Sequence, residues 1–198
     1  MRDKKVLEMT TLAIFIAVIF VMGLIPFVGF IPIFGTTVTT LHVPVIIGAI
    51  YGGRRFGGPK FGLLLGLSFG VISFLRSFLP FFPLDALFQN PVIAILPRMI
   101  FGFASWYIYV GITKLISEVK IALPIVFILG TLVHTVLVLS VALLMLGFYR
   151  EFLGELANFL IIILPVNGTF EVIVAALIGS GVMVRLLKYD ETQALQND

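Results

Sequence analysis

Three ionisable side chains stand inside long apolar runs: Arg98 in Pro91-Val-Ile-Ala-Ile-Leu-Pro-Arg98, His134 in Gly130-Thr-Leu-Val-His134, and Glu171 in Val166-Asn-Gly-Thr-Phe-Glu171. In hydrocarbon such a group costs about 2.5 to 3.5 kcal/mol on insertion scales, so each marks a ligand, an ion path or a structural pair. A guanidinium presents paired donors suited to a carboxylate, an imidazole can donate or accept, and a carboxylate accepts. Asn167 lies four residues before Glu171 and shares its helix face. Pro97 and Pro165 each free backbone carbonyls that only protein or a water-filled cavity can satisfy. At 1.5 Å per residue the four side chains lie roughly 10 to 20 Å below the outer span ends, which predicts a polar pocket open to the outside. Two structural alternatives stand beside it. Arg98 and Glu171 as a buried pair would lock the helices, and a neutral His134 would satisfy itself on backbone.

Other residues have simpler readings. Asn90 before Pro91 is an N-cap with proline at the first helical position, and it can still reach a ligand. Arg76, at an outer span end, is read as a snorkelling anchor. Ala13 and Ala17, like Gly62, Gly66 and Gly70, recur every four residues and form smooth faces for helix packing, internal or with a partner. The Asn167-Gly-Thr169 sequon lies within a span and is set aside. There is no His-Glu-x-x-His, Gly-x-Ser-x-Gly or Walker loop. Two histidines distant in the chain argue against a metal site, and the absence of cysteine removes thiolate chemistry.

The elements that hold these residues must be membrane helices. The 198 residues are 60% hydrophobic and 12% charged, with a mean hydropathy of +1.18. At roughly 20 residues per crossing the length allows about six helices and leaves no room for a separate nucleotide-binding domain. The runs are Thr10 to Phe30, Val43 to Gly53, Gly58 to Phe78, Pro91 to Leu115, Ile121 to Phe148 and Phe159 to Leu187. The second is too short to span unaided. The first is read as a retained helix, because Met22-Gly-Leu-Ile-Pro26 lacks a signal-peptidase site.

Of the 13 Lys and Arg residues, ten fall on one side: Arg2, Lys4, Lys5, Arg54, Arg55, Lys60, Lys114, Lys120, Arg185 and Lys188. Arg76 and Arg150 are opposite. The positive-inside bias therefore places both termini in the cytoplasm. The basic residues do not cluster on a soluble face, so nucleic acid is excluded as a partner. Ile31 to His42 is uncharged and rich in β-branched residues, as suits an extended segment packed back on protein. Leu79 to Asn90 carries Pro80, Pro83 and paired phenylalanines; Tyr149 to Asn158 is polar and acidic. The chain thus reads as an all-α integral membrane protein, one six-helix domain over residues 1–188 followed by a disordered cytoplasmic tail at 189–198.

Specific strings carry a family resemblance: Thr36-Thr-Val-Thr-Thr-Leu-His42-Val-Pro-Val-Ile-Ile-Gly-Ala49, Gly57-Gly-Pro-Lys-Phe-Gly-Leu-Leu-Leu-Gly66, Asn90-Pro91 and Leu96-Pro-Arg98-Met-Ile-Phe-Gly102. From Ala13 through the sixth span the chain resembles the substrate-binding S component of energy-coupling factor (ECF) vitamin transporters. The threonine-rich loop ending in His-x-Pro is most similar to the pantothenate group, while the pyridoxine, hydroxymethylpyrimidine and riboflavin groups share the scaffold. The resemblance implies a cell-membrane subunit, not itself an enzyme, that captures a vitamin outside. Uptake is then driven by a T component and two ATPase subunits that use ATP; this chain carries no cofactor. It also implies that Ala13 and Ala17, matching an Ala-x-x-x-Ala motif, contact the T component, and that the first outer loop closes as a lid with Thr37, Thr39 and His42 as lid or contact residues.

A pantothenate carboxylate would need a buried cation, which Arg98 provides. Its amide and hydroxyls suit Asn90, Asn167, His134 and the threonine hydroxyls. Glu171 fits an anionic ligand less well than it would a pyridoxine-like or hydroxymethylpyrimidine ring. A reading from another class is a small membrane enzyme with Glu171 and His134 as acid and base; a purely structural subunit is a third.

Overall fold

In the computed structural model, residues 2–25, 27–33, 36–145 and 164–196 are described. Helix α1 (Arg2–Leu24) leads into a β-hairpin, β1 (Phe30–Ile33) and β2 (Thr36–Thr39). Then come α2 (His42–Gly52) with a π turn over Gly53–Gly57, α3 (Lys60–Arg76), a 3-10 turn (Pro83–Gln89), α4 (Pro91–Leu115) and α5 (Val119–Met145). The last span runs as α6 (Leu164–Val174), a π turn (Ala175–Gly179) and α7 (Ser180–Gln196). Among the described residues, four stretches are long and apolar enough to cross a membrane: Asp3–Leu24, Pro91–Leu115, Val119–Met145 and Gly168–Asp190.

The short second run has an unexpected place. Every α2 residue except Tyr51 is buried, and α2 packs against α1, α3, α4, α5 and α7. A helix apolar on all sides belongs at the centre of a bundle, where it need not span alone. Around Ile46 and Ile50 the core gathers Leu65 and Phe69 of α3, Phe101 of α4, Phe127 of α5 and Met183 of α7. The outer faces, such as Ile14, Val18, Phe103, Leu132 and Leu177, are exposed and apolar, as lipid contact requires.

Gly62, Gly66 and Gly70 are packing residues. A methyl at Gly62 would overlap the Gly102 carbonyl, and one at Gly66 would overlap the carbonyl of Arg98. The stripe lets α3 and α4 approach backbone to backbone, where dispersion contacts replace the missing hydrophobic drive.

Two boundaries differ from the sequence expectation, and the loop expected to be extended gains a defined pairing. Helix α1 ends at Leu24, short of Phe30, because Ile25 precedes a proline and is pushed out of the helical region; Phe27 then turns the chain with a left-handed φ of 62°. The uncharged loop becomes an antiparallel hairpin pairing Phe30 with Thr39 and Pro32 with Thr37. The tail from Tyr189, expected to be disordered, is helical through Gln196. An ion pair of Arg55 with Asp190 at 3.0 Å joins the α2 π turn to α7 at the start of that continuation. The acidic segment at 149–158 lies outside the described residues.

Candidate functional site

The site is built on a broken helix ladder. Pro97 has no amide hydrogen, so the Ile93 carbonyl four residues back loses its helical donor. The buried Arg98 side chain turns back and fills that place, its Nη1 donating to the Ile93 oxygen at 2.7 Å. This fixes the guanidinium, which lies 4.6 Å above the Phe88 ring and 5.7 Å from that of Phe69. Arg98 is 4% exposed, and among the described residues its Nε has no hydrogen-bond partner. A cation so fixed, lining a cleft, is prepared for an anion.

Glu171 reaches the same region from α6. Its Oε1 accepts the Thr39 backbone N–H at 2.8 Å. Among the described residues the ion pair present is Arg55 with Asp190. The locked Arg98–Glu171 pair of the structural alternative is therefore not formed.

Helix packing brings together the two histidines that the sequence left far apart. His42 opens α2 and His134 lies midway along α5; their rings stack at 5.7 Å with 12° between planes. His134 is enclosed by Phe101 at 5.0 Å and Phe69 at 5.3 Å. Neither of its ring nitrogens has a hydrogen-bond partner among the described residues. Donor atoms of His42, His134 and Glu171 all lie within 4.8 Å of one another, the composition of a metal-ligand set. Arg98 and His134 both pack on the Phe69 ring, so a guanidinium stands beside the cluster and opposes a cation there.

Above Arg98 is a cleft of about 480 Å³ counted with its mouth. Phe30, Thr37 and Thr39 of the hairpin line it, with Ser73 and Arg76 of α3 and Ser77 that caps it, and Leu79, Phe81, Asp85 and Phe88 of the connecting segment. The uncharged loop thus packs back on protein over a mostly apolar cleft with Arg98 in its lining, in accord with its composition.

Of the sequence-selected residues, Arg98, Thr37 and Thr39 line this cleft, and His42, His134 and Glu171 form the adjoining cluster. Asn90 caps α4, its Oδ1 accepting the Val92 N–H at 2.9 Å, and does not line the cleft. Asn167 is in α6, but its side chain lies outside the described residues. Arg76, read as an anchor, lines the cleft and sits 4.1 Å over the Phe81 ring. Ser73 and Asp85 were missed. Asp85 had a local signal: an acid just inside Pro83 in an otherwise apolar outer segment is a helix-start residue.

Ala13 and Ala17 are exposed on α1. Only 11% of the α1 window is buried, against 28 to 44% for the other three spans, which leaves that face free for another helix.

A family model described as ECF transporter, substrate-specific component, matches residues 7–183. The pantothenic acid transporter PanT of Lactococcus lactis subsp. cremoris (strain MG1363) is 31% identical over 203 residues, covering 95% of this chain and 97% of the relative.

Proposed function

From the premise that this chain belongs to the substrate-specific components of ECF transporters, a family of multi-pass membrane proteins, we propose that its vitamin is pantothenate, bound in the cleft over Arg98. The observation that supports this most is the Arg98 guanidinium, held by the Ile93 carbonyl and lining the cleft. Its charge-assisted, paired donors match a carboxylate. The Thr39 and Ser73 hydroxyls and the two histidines provide partners for the amide and hydroxyls of the ligand, with Asn167 as a further polar contact, while Thr37 serves the lid and Asn90 the α4 cap. Phe69 and Phe88 suit its dimethyl group.

Glu171 ceases to be an objection in this arrangement. One of its oxygens is occupied by Thr39, so it acts as an anchor for the hairpin while Arg98 offsets its charge. A neutral vitamin, pyridoxine, hydroxymethylpyrimidine or riboflavin, would leave the paired donors of Arg98 without the carboxylate they match.

The chain works as part of an ECF transporter complex. We assign the helix contact with the T component to Ala13 and Ala17, and ATP hydrolysis to two partner ATPase subunits. Proteoliposomes test this. The chain alone should bind pantothenate without accumulating it, and ATP-dependent accumulation should appear only when the T component and ATPases are reconstituted with it. Accumulation by the chain alone would refute the assignment.

A further inference from the structure

The hairpin over the cleft is too small to hold itself in place. Its strands have four residues each, and an isolated two-stranded hairpin is at best marginal. Its position therefore depends on what grips it. At its base Thr39 and Thr40 hydroxyls donate to the Gly29 and Val28 carbonyls, which are internal to the loop. Two grips come from elsewhere. Glu171 takes the Thr39 amide, and Asp85 Oδ2 accepts the Thr37 hydroxyl at 2.8 Å.

The Asp85 grip is prepared independently of the hairpin. The same Oδ2 accepts the backbone N–H groups of Phe81 at 2.9 Å and Phe82 at 3.0 Å, so the carboxylate is already aimed before Thr37 arrives. Phe81 in turn lies under Arg76 and stacks at 6.2 Å on Phe27, the left-handed residue below the hairpin. The connecting segment thus touches both the foot and the far strand of the hairpin. Thr37 and Thr39, two apart in a strand, share a face, and both line the cleft.

We propose that Asp85 is the latch of this lid, a positioning residue that acts through Thr37 to set how fast the cleft opens. The kinetic part rests on the pantothenate reading above; the hairpin part does not. Opening must break a hydrogen bond to a charged acceptor, which limits entry and escape alike.

The test is Thr37→Val, which removes the hydroxyl and leaves the Asp85 bonds to Phe81 and Phe82 in place. In the ligand-free protein, hydrogen exchange of amides 30–39 should accelerate about tenfold, the scale of one charge-assisted hydrogen bond. Thr37→Ser should restore it, and Asp85→Asn should add nothing to Thr37→Val. With pantothenate, association and dissociation rates should both rise in Thr37→Val, with the Kd changing far less. Unchanged exchange, or additive effects of the two substitutions, overturns the latch. A faster dissociation with unaltered association makes Thr37 a ligand contact and overturns it too. Faster exchange in a chain that binds no pantothenate would uphold the latch and refute the substrate.

Discussion

The backbone amide of Thr39 donates to the Glu171 carboxylate at 2.8 Å across 132 residues of chain. This bond ties the first outer loop to the last membrane span. It also separates two tasks that a carboxylate in such a pocket can have: neutralising a ligand, or holding the cover over it. An acceptor already engaged by a backbone donor is suited to the second.

The two tasks respond differently to substitution. Glu171→Gln keeps an oxygen for the Thr39 amide and removes a negative charge beside an anionic ligand, so pantothenate affinity should hold or improve. Glu171→Ala leaves that amide without its acceptor and should weaken binding roughly tenfold. Calorimetric titration of both variants decides. Equal loss in Gln and Ala would show that the charge itself is required.

Arg98 has a structural bond and a ligand bond, and both must be measured. Arg98→Ala should lower pantothenate affinity by about 100-fold or more, the loss expected when a buried charge pair is cut. It also abandons the Ile93 carbonyl that Pro97 exposes, at roughly 1 to 3 kcal/mol of stability. Arg98→Lys keeps the charge without the planar fork, and its affinity should fall between alanine and wild type. Thermal melting beside binding separates the effects; a variant that melts lower yet binds normally would reduce Arg98 to a helix brace.

Gly66 lies against the Arg98 carbonyl, so its substitution tests whether close packing positions the cation. Gly66→Ala should cost about 1 to 3 kcal/mol by overpacking, and Gly66→Leu should prevent α3 and α4 from closing. Detergent melting curves read this directly. Wild-type melting of the leucine variant would contradict the packing.

Replacing Ala13 and Ala17 together with leucine fills an exposed small-residue face. Co-purification with the T component should fall severalfold, while pantothenate binding by the chain alone stays unchanged. Retained co-purification would move the interface elsewhere.

What the sequence made legible was local. The Asn90-Pro91 start and the apolar run after it place α4 at Pro91–Leu115, and the helix found has those bounds. Arg98, His134 and Glu171 declared themselves by their cost in hydrocarbon. What joins them was not legible: the α2 run looked too short to span unaided, and its central burial is a property of the five helices around it. The meeting of His42 with His134 follows from that placement. Likewise the loop showed by composition that it would be extended and buried, but its partners, Asp85 and Glu171, lie 48 and 132 residues away from the threonines they hold. The tail failed for the same reason, since Asp190 finds Arg55 only in the folded bundle.

The most direct measurement is calorimetric titration of the detergent-purified chain, freed of co-purified ligand, with pantothenate and separately with pyridoxine, hydroxymethylpyrimidine and riboflavin. Saturable binding of pantothenate alone, lost in Arg98→Ala while the variant still folds, is the predicted result. Binding of one of the neutral vitamins in place of pantothenate would contradict the assignment of Arg98 as a carboxylate anchor.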